Sequence, residues 1–182
     1  ILCTKASGAM ARTFDSHHNS LDMPLVLRIA PETYLKRLIV AGYERVYEFA
    51  RCFRNEGMDR SHNPEFTMLE WYEAYTDYHR QLQRFEALVA AVCRHLHGTT
   101  CIEYQGTQLD FTPPWPRLTV LAALKQYADI DADGLTAAQL VEVARRRGIE
   151  ADGEMSWGRA VALLFEESCE AHLVQPTFVL DH

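Results

Sequence analysis

The sequence has no apolar run near the ~20 residues that cross a bilayer as a helix, so a membrane-spanning helix is excluded. Cysteine is sparse: Cys3, Cys52, Cys93, Cys101 and Cys169 are odd in number and widely spaced. No pair has zinc-knuckle or redox spacing, which fits reduced thiols in a cytoplasmic protein. Internal repeats and low-complexity segments are also absent. Positive charge is short, with 18 Lys and Arg against 25 Asp and Glu and a net charge of −7. The deficit is uneven: residues 1–91 hold 11 basic and 12 acidic residues, and residues 92–182 hold 7 and 13. The acidic second half is a poor general surface for nucleic acid, because phosphate neutralisation needs Lys and Arg. The chain starts Ile1-Leu2-Cys3 without Met or a signal-peptide pattern and stops at Asp181-His182, straight after an apolar run. Both ends read as cut, so a piece of a longer protein is expected. What is present is a globular mixture: 182 residues, 48% apolar and 24% charged, enough for one domain with a core.

Leu25 to Ile29 is a short run of strand type, and Pro31 suits the first turn of a helix, where its missing N–H costs nothing. Leu35, Leu38 and Ile39 give that helix a stripe, and Gly42 its stop. Glu44 to Tyr75 predicts two strands joined by a polar loop, Gly57 to Asn63, with Pro64 holding Asn63 extended. In the first strand Tyr47, Phe49 and Phe53 share one face; Glu48, Arg54 and Glu56 fall on the other, with small Ala50 and Cys52 between them. In the second strand Phe66, Met68, Glu70 and Tyr72 share a face. Such a mixture of arginine, glutamates, aromatics and small residues reads as the floor of a site rather than a solvated surface.

A helix from about His79 to His97 carries a stripe of Leu82, Phe85, Leu88, Val89, Val92 and Leu96, ended by Gly98. After Pro113, Pro114 and Pro116, a short helix is predicted around Leu118, Leu121 and Leu124. Thr136 with Gln139 forms a capping box for another helix, through Arg147, and Trp157 to Ser168 marks a last one. Thr177 to Leu180 reads as a strand whose partners must lie elsewhere. The expected fold is α+β: an antiparallel sheet flanked by helices, with residues 1–112 as part of the core, 113–172 as a mostly helical insertion and 173–182 as a return strand.

Phe53-Arg54-Asn55-Glu56-Gly57 and His62-Asn63-Pro64-Glu65-Phe66-Thr67 resemble motif 2 of class II aminoacyl-tRNA synthetases: Arg-x-Glu at a strand end, a loop, then His and Phe opening the next strand. His17-His18-Asn19-Ser20-Leu21-Asp22, Arg28-Ile29-Ala30-Pro31-Glu32 and Tyr34-Leu35-Lys36-Arg37-Leu38 narrow the resemblance to the catalytic domain of bacterial lysyl-tRNA synthetases. It is dense over 8–78 and looser to 182. Thr13 stands where that family often has Pro, and Ser7 where it has the first glycine of a Gly-Gly-Ala word. Leu69-Glu70-Trp71-Tyr72 resembles a paralogue that attaches β-lysine to an elongation factor, the alternative reading; a non-catalytic synthetase-like module is a third.

The resemblance implies ATP-dependent activation of L-lysine and its transfer to tRNA(Lys). Two anions approach each other in that activation, so fixed positive charge is needed at the α-phosphate. Arg54 matches the catalytic arginine, and its planar fork suits phosphate and carboxylate oxygens together; pairing with Glu56 or Glu48 as support is the bland reading. Glu56, His62, Asn63 and Phe66 are implied with Arg54 as ATP-binding. Gly8, Glu32, Glu70 and Tyr72 are implied with Arg54 as lysine-binding, although Glu32 also suits a helix N-terminus by charge alone. No metal ligand is expected here. His17 and His18 are adjacent, so a strand points them to opposite faces. The magnesium carboxylates, motifs 1 and 3, the dimer-building elements and an anticodon-binding domain are expected outside the segment, and the isolated piece is expected to be inactive. Arg145-Arg146-Arg147 ends a helix, where cations complement the dipole, and a capping role is expected over an RNA patch.

Overall fold

In a computed structural model, residues 1–181 are described. The chain divides into two units, Ile1–Thr76 and Asp77–His182. In the first, β1 (Leu2–Cys3), β2 (Asp15–His18) and β3 (Met23–Leu27) form an antiparallel sheet in the order β1-β3-β2. Ile29, Ala30 and Pro31 are buried where the chain turns into α1 (Glu32–Val40). Pro31 caps α1, Leu35 is its buried residue, and Gly42 leaves it in the left-handed region at φ +98°. The long strands β4 (Arg45–Phe53) and β5 (Glu65–Glu73) pair antiparallel, and α1 packs against both.

Within the paired strands the predicted faces are those observed, whereas Arg54 and Glu56, expected on the face of Glu48, lie beyond the end of β4; the environments of the two faces invert the usual order. Ala50 and Cys52, on the face that carries Glu48, are fully buried. Tyr47 and Phe49, on the aromatic face, are 70% and 68% exposed. Period-two alternation tells which side chains share a face; which face is covered depends on what packs there. Lys36 of α1 lies over the Tyr72 ring, so the helix attends the charged face.

In the second unit Asp77 caps α2 (Tyr78–His97) by accepting from Arg80 N, and Gly98 ends it at φ +73°. The buried positions of α2 are Glu86, Ala90 and Cys93; Leu88, Val92 and Leu96 of the expected core stripe are exposed. The rest of that stripe is engaged: Leu82 and Val89 are half-buried, and Phe85 meets the Trp115 and Phe178 rings edge to face. A hairpin that the sequence pattern does not reveal follows, β6 (Cys101–Tyr104) and β7 (Thr107–Asp110). Next come β8 (Arg117–Thr119), α3 (Val120–Ala128), α4 (Ala137–Arg146), α5 (Trp157–Ser168) and β9 (Phe178–Leu180). Leu124, Leu140 and Leu164, one from each of α3 to α5, are wholly buried in one core. The Thr136–Gln139 capping box forms, and Thr119 and Ser156 cap the other two helices.

The partner of the last strand lies within the chain, contrary to expectation: β9 pairs parallel with β8, Arg117 opposite Phe178 and Leu118 opposite Val179. A parallel pair needs a long crossover, which α3 to α5 supply. Leu118 lies in β8 rather than in the helix expected around it. The architecture is α+β; among the described residues there are four small sheets, three of them antiparallel, in place of the single expected sheet. Arg145 donates to Ala151 O, Arg146 pairs with Glu142 and Arg147 donates to Ala128 O, so the arginine run serves helix α4 and its neighbours. Among the described residues no helix is long and apolar enough to cross a membrane.

One charge is buried by design of these contacts. Glu86, 3% exposed, accepts from Trp115 N at 2.8 Å and pairs with Arg117 Nη2 at 2.7 Å. Removing one partner of a buried pair strands the other. Glu86→Ala is therefore expected to lower stability by about 3 kcal/mol, and Glu86→Gln by less, read as urea midpoint shifts at unchanged slope.

Candidate functional site

Arg54 follows the last residue of β4, where its backbone N–H donates to Pro64 O at 2.8 Å and closes the root of the loop. The loop is organised by Asp59, whose carboxylate accepts from Ser61 N at 2.7 Å and His62 N at 2.8 Å. The His62 ring Nδ1 also lies 2.8 Å from Asp59 Oδ2. The Ser61 N–H first, then the His62 ring and N–H, hold the Asp59 carboxyl below its usual range. Asn63 Nδ2 donates to Glu65 O at 2.7 Å, so this side chain braces the start of β5.

Arg54, Glu56, His62, Asn63 and Phe66 line one cavity of about 250 Å³, together with Gly57 and Ser61. The guanidinium carbon of Arg54 lies 5.1 Å from the Phe66 ring centroid. Arg54 Nε is buried with no hydrogen-bond partner. The alternative in which Arg54 is spent on Glu48 is not realised: Glu48 is held by Arg28 Nη1 at 2.6 Å. A larger depression of about 810 Å³ lies in the second unit, lined among others by Tyr127, Arg147 and His172. It is wide open, its Arg147 is engaged by Ala128 O, and none of the residues implied for ATP or lysine lines it. The smaller cavity has the better chemistry, because it combines a free cationic N–H with an aromatic face.

The second cluster centres on Tyr72. Its hydroxyl donates to Glu70 Oε1. Burial first, then that bond and the charges of Glu70 and Glu32, push the Tyr72 phenol well up. Lys36 Nζ pairs with Glu32 Oε1 and lies 5.6 Å from the Tyr72 ring centroid. Gly8 sits against Glu32: a Cβ there would meet Glu32 Cβ at 2.8 Å, and its φ is +92°. Gly8, Glu32, Glu70 and Tyr72 are thus gathered around one acidic patch. Between the two clusters, buried Cys52 feels the charges of Arg28, Arg54, Glu70 and Glu48; burial is the main cause that pushes its thiol up.

Three participants escaped sequence reasoning. Lys36 was legible as the i+4 partner of Glu32 on a helix. Asp59 had only the general signal of Asp in a turn. The pairing of Arg28, just past the end of β3, with Glu48 of β4 joins residues far apart in the chain, and no local pattern announces it. His17 and His18 lie adjacent in β2; His17 Nε2 is 3.1 Å from Asp22. Among the described residues no group of three or more His, Cys, Asp or Glu is placed to hold a metal ion. What the arrangement offers is a guanidinium and a phenyl face for an anionic, planar ligand, next to carboxylates and a phenol for a cationic one.

A strand-end Arg-x-Glu, a loop and a facing Phe on an antiparallel hairpin define the class of the chain. The family of tRNA synthetases class II (D, K and N) matches over residues 1–182, and the chain belongs to it. Within that family it is 54% identical over its whole length to a lysine–tRNA ligase of a Thermoanaerobacter species. It is 52% identical over 97% of its length to one of Moorella thermoacetica, and 49% over 96% to one of Chloroflexus aurantiacus. The chain spans 37%, 36% and 36% of the length of these three curated relatives.

Gly8→Ala would force a side chain into the left-handed region and against Glu32. It is expected to cost about 1–3 kcal/mol in urea unfolding and to displace Glu32.

Proposed function

We propose that this segment forms the ATP- and amino-acid-binding floor of a lysine–tRNA ligase, which activates L-lysine to lysyl-adenylate and transfers it to tRNA(Lys). The observation that carries the reading is Arg54, with its Nε buried and unpartnered and its guanidinium over the Phe66 face. The lysine carboxylate attacks the α-phosphorus of ATP and pyrophosphate leaves. Arg54 holds oxygens of both anions and stabilises the charge that develops on the phosphoryl group. Phe66 stacks on the adenine ring, and Glu56 accepts from its amino group. Asn63 lines the pocket, and His62 serves the outer phosphates once its ring leaves Asp59.

Glu70 takes the ε-ammonium of lysine, and the phenol of Tyr72 orients that carboxylate. Glu32 takes the α-ammonium, with the backbone at Gly8 beside it, and Lys36 gives way there to the substrate. A neutral or short side chain would leave Glu70 without its cation, which is costly in a site built for one. Magnesium, the homodimer contacts and the main tRNA grip belong to the rest of the protein, in the cytoplasm. Residues 1–112 serve as catalytic core, 113–172 as a helical insertion and 173–182 as the return toward the core. The naming of half-identical relatives as lysine–tRNA ligases favours this reading over elongation-factor β-lysylation and over a non-catalytic module.

In the full-length protein, Arg54→Ala is expected to lower lysine-dependent ATP–pyrophosphate exchange by about a hundredfold or more, with unchanged circular dichroism. An unaltered exchange rate would overturn the assignment. Glu70→Gln is expected to raise the KM for lysine while the KM for ATP stays near the wild-type value.

A further inference from the structure

The charged face of the hairpin sets two glutamates against each other. Glu48 and Glu70 are partners across β4 and β5. Like charges directly opposite on a strand pair repel, yet both side chains are less than fully exposed. Each has a different relief. Glu70 accepts from the Tyr72 hydroxyl, which leaves its charge in place. Glu48 meets a full positive charge, Arg28 Nη1 at 2.6 Å.

Arg28 is anchored to do this. Its Nε donates to Arg51 O at 2.8 Å, its backbone N–H donates to Ile1 O at 2.9 Å, and its carbonyl accepts from Phe53 N at 2.9 Å. Its side chain is 14% exposed, against 34% for Glu48. The buried thiol of Cys52, on the same face as Glu48, feels the charges of Arg28, Glu48, Arg54 and Glu70, so the four belong to one neighbourhood. Arg28 cancels Glu48. That leaves one positive charge at Arg54 and one negative charge at Glu70.

We propose that Arg28 is a positioning residue for amino-acid selection: by neutralising Glu48 it leaves Glu70 as the one carboxylate of the hairpin floor that answers a side-chain ammonium. This deepens the reading of Glu70 given above and rests on it. Without Arg28 the floor would present two adjacent carboxylates that compete for the same cation and push each other off position. Without Glu48 the bare Arg28 would oppose the incoming ammonium. Loss of both would restore the balance.

The test is lysine-dependent ATP–pyrophosphate exchange by the full-length protein, with the KM for lysine and for ATP measured separately. Arg28→Met and Glu48→Gln are each expected to raise the lysine KM about tenfold, the scale on which one uncompensated neighbouring charge acts, with the ATP KM little changed. The double variant is expected to return to within about threefold of wild type, and Arg28→Lys to stay close to it. A double variant as impaired as Arg28→Met, or an ATP KM that rises in step with the lysine KM, would show a purely structural pair and overturn the proposal. If Arg28→Met does not fold, Glu48→Gln and Arg28→Lys decide: a Glu48→Gln protein with wild-type lysine KM also overturns it. Glu70→Gln serves as the separate control. A wild-type lysine KM in that variant defeats the assignment of Glu70 itself, whereas a raised one alongside a failed double-variant recovery defeats only the role of Arg28.

Discussion

Across β4 and β5, Cys52 stands opposite Phe66, Glu48 opposite Glu70 and Val46 opposite Tyr72. A slip of one residue would turn every one of these side chains to the other face. Everything else in the candidate site is arranged around this register. Arg54 reaches over Phe66 because it directly follows the residue that ends β4, and Pro64 O fixes its backbone. Ala50 and Cys52 are small enough to be buried beneath the charged groups. Larger side chains there would lift the floor.

The cost of that register is a concentration of charge. Arg28, Arg54, Glu48 and Glu70 share one neighbourhood, with Glu32 and Lys36 on the helix alongside. The protein settles the balance by pairing most of these groups with one another. Arg28 takes Glu48, Lys36 takes Glu32, and Tyr72 steadies Glu70 without cancelling it. What remains unpaired is a buried N–H of Arg54. Buried polar groups are ordinarily satisfied, so an exception at the wall of a cavity calls for an explanation, and the proposed ATP site supplies one.

The helical part of the chain follows other physics. Leu124, Leu140 and Leu164 close a core of its own, and capped helices carry the chain over to a parallel strand pair. Its charges are engaged locally, as the arginine run at the end of α4 illustrates. Glu86 shows that a buried carboxylate need not mark a site: a backbone N–H and an arginine satisfy it fully as structure.

Much of the hairpin was legible in advance, because strand alternation and turn chemistry are local. The shared face of Phe66, Glu70 and Tyr72, the stop at Gly42 and the capping box at Thr136 all follow from spacing alone. Coverage was not legible: Tyr47 and Phe49 look like core and lie open, and α2 buries Ala90 and Cys93 while Leu88, Val92 and Leu96 of its stripe lie open. The residue types of the chemistry, their order and their faces were set by the sequence itself, since φ/ψ preferences and side-chain periods act over a few neighbours. Tertiary structure alone decided that Arg28 neutralises Glu48, that Arg54 keeps a free buried N–H and that the last strand finds its partner at Arg117. Those outcomes depend on residues far apart in the chain competing for the same charges and the same backbone edge, and no local pattern records who wins.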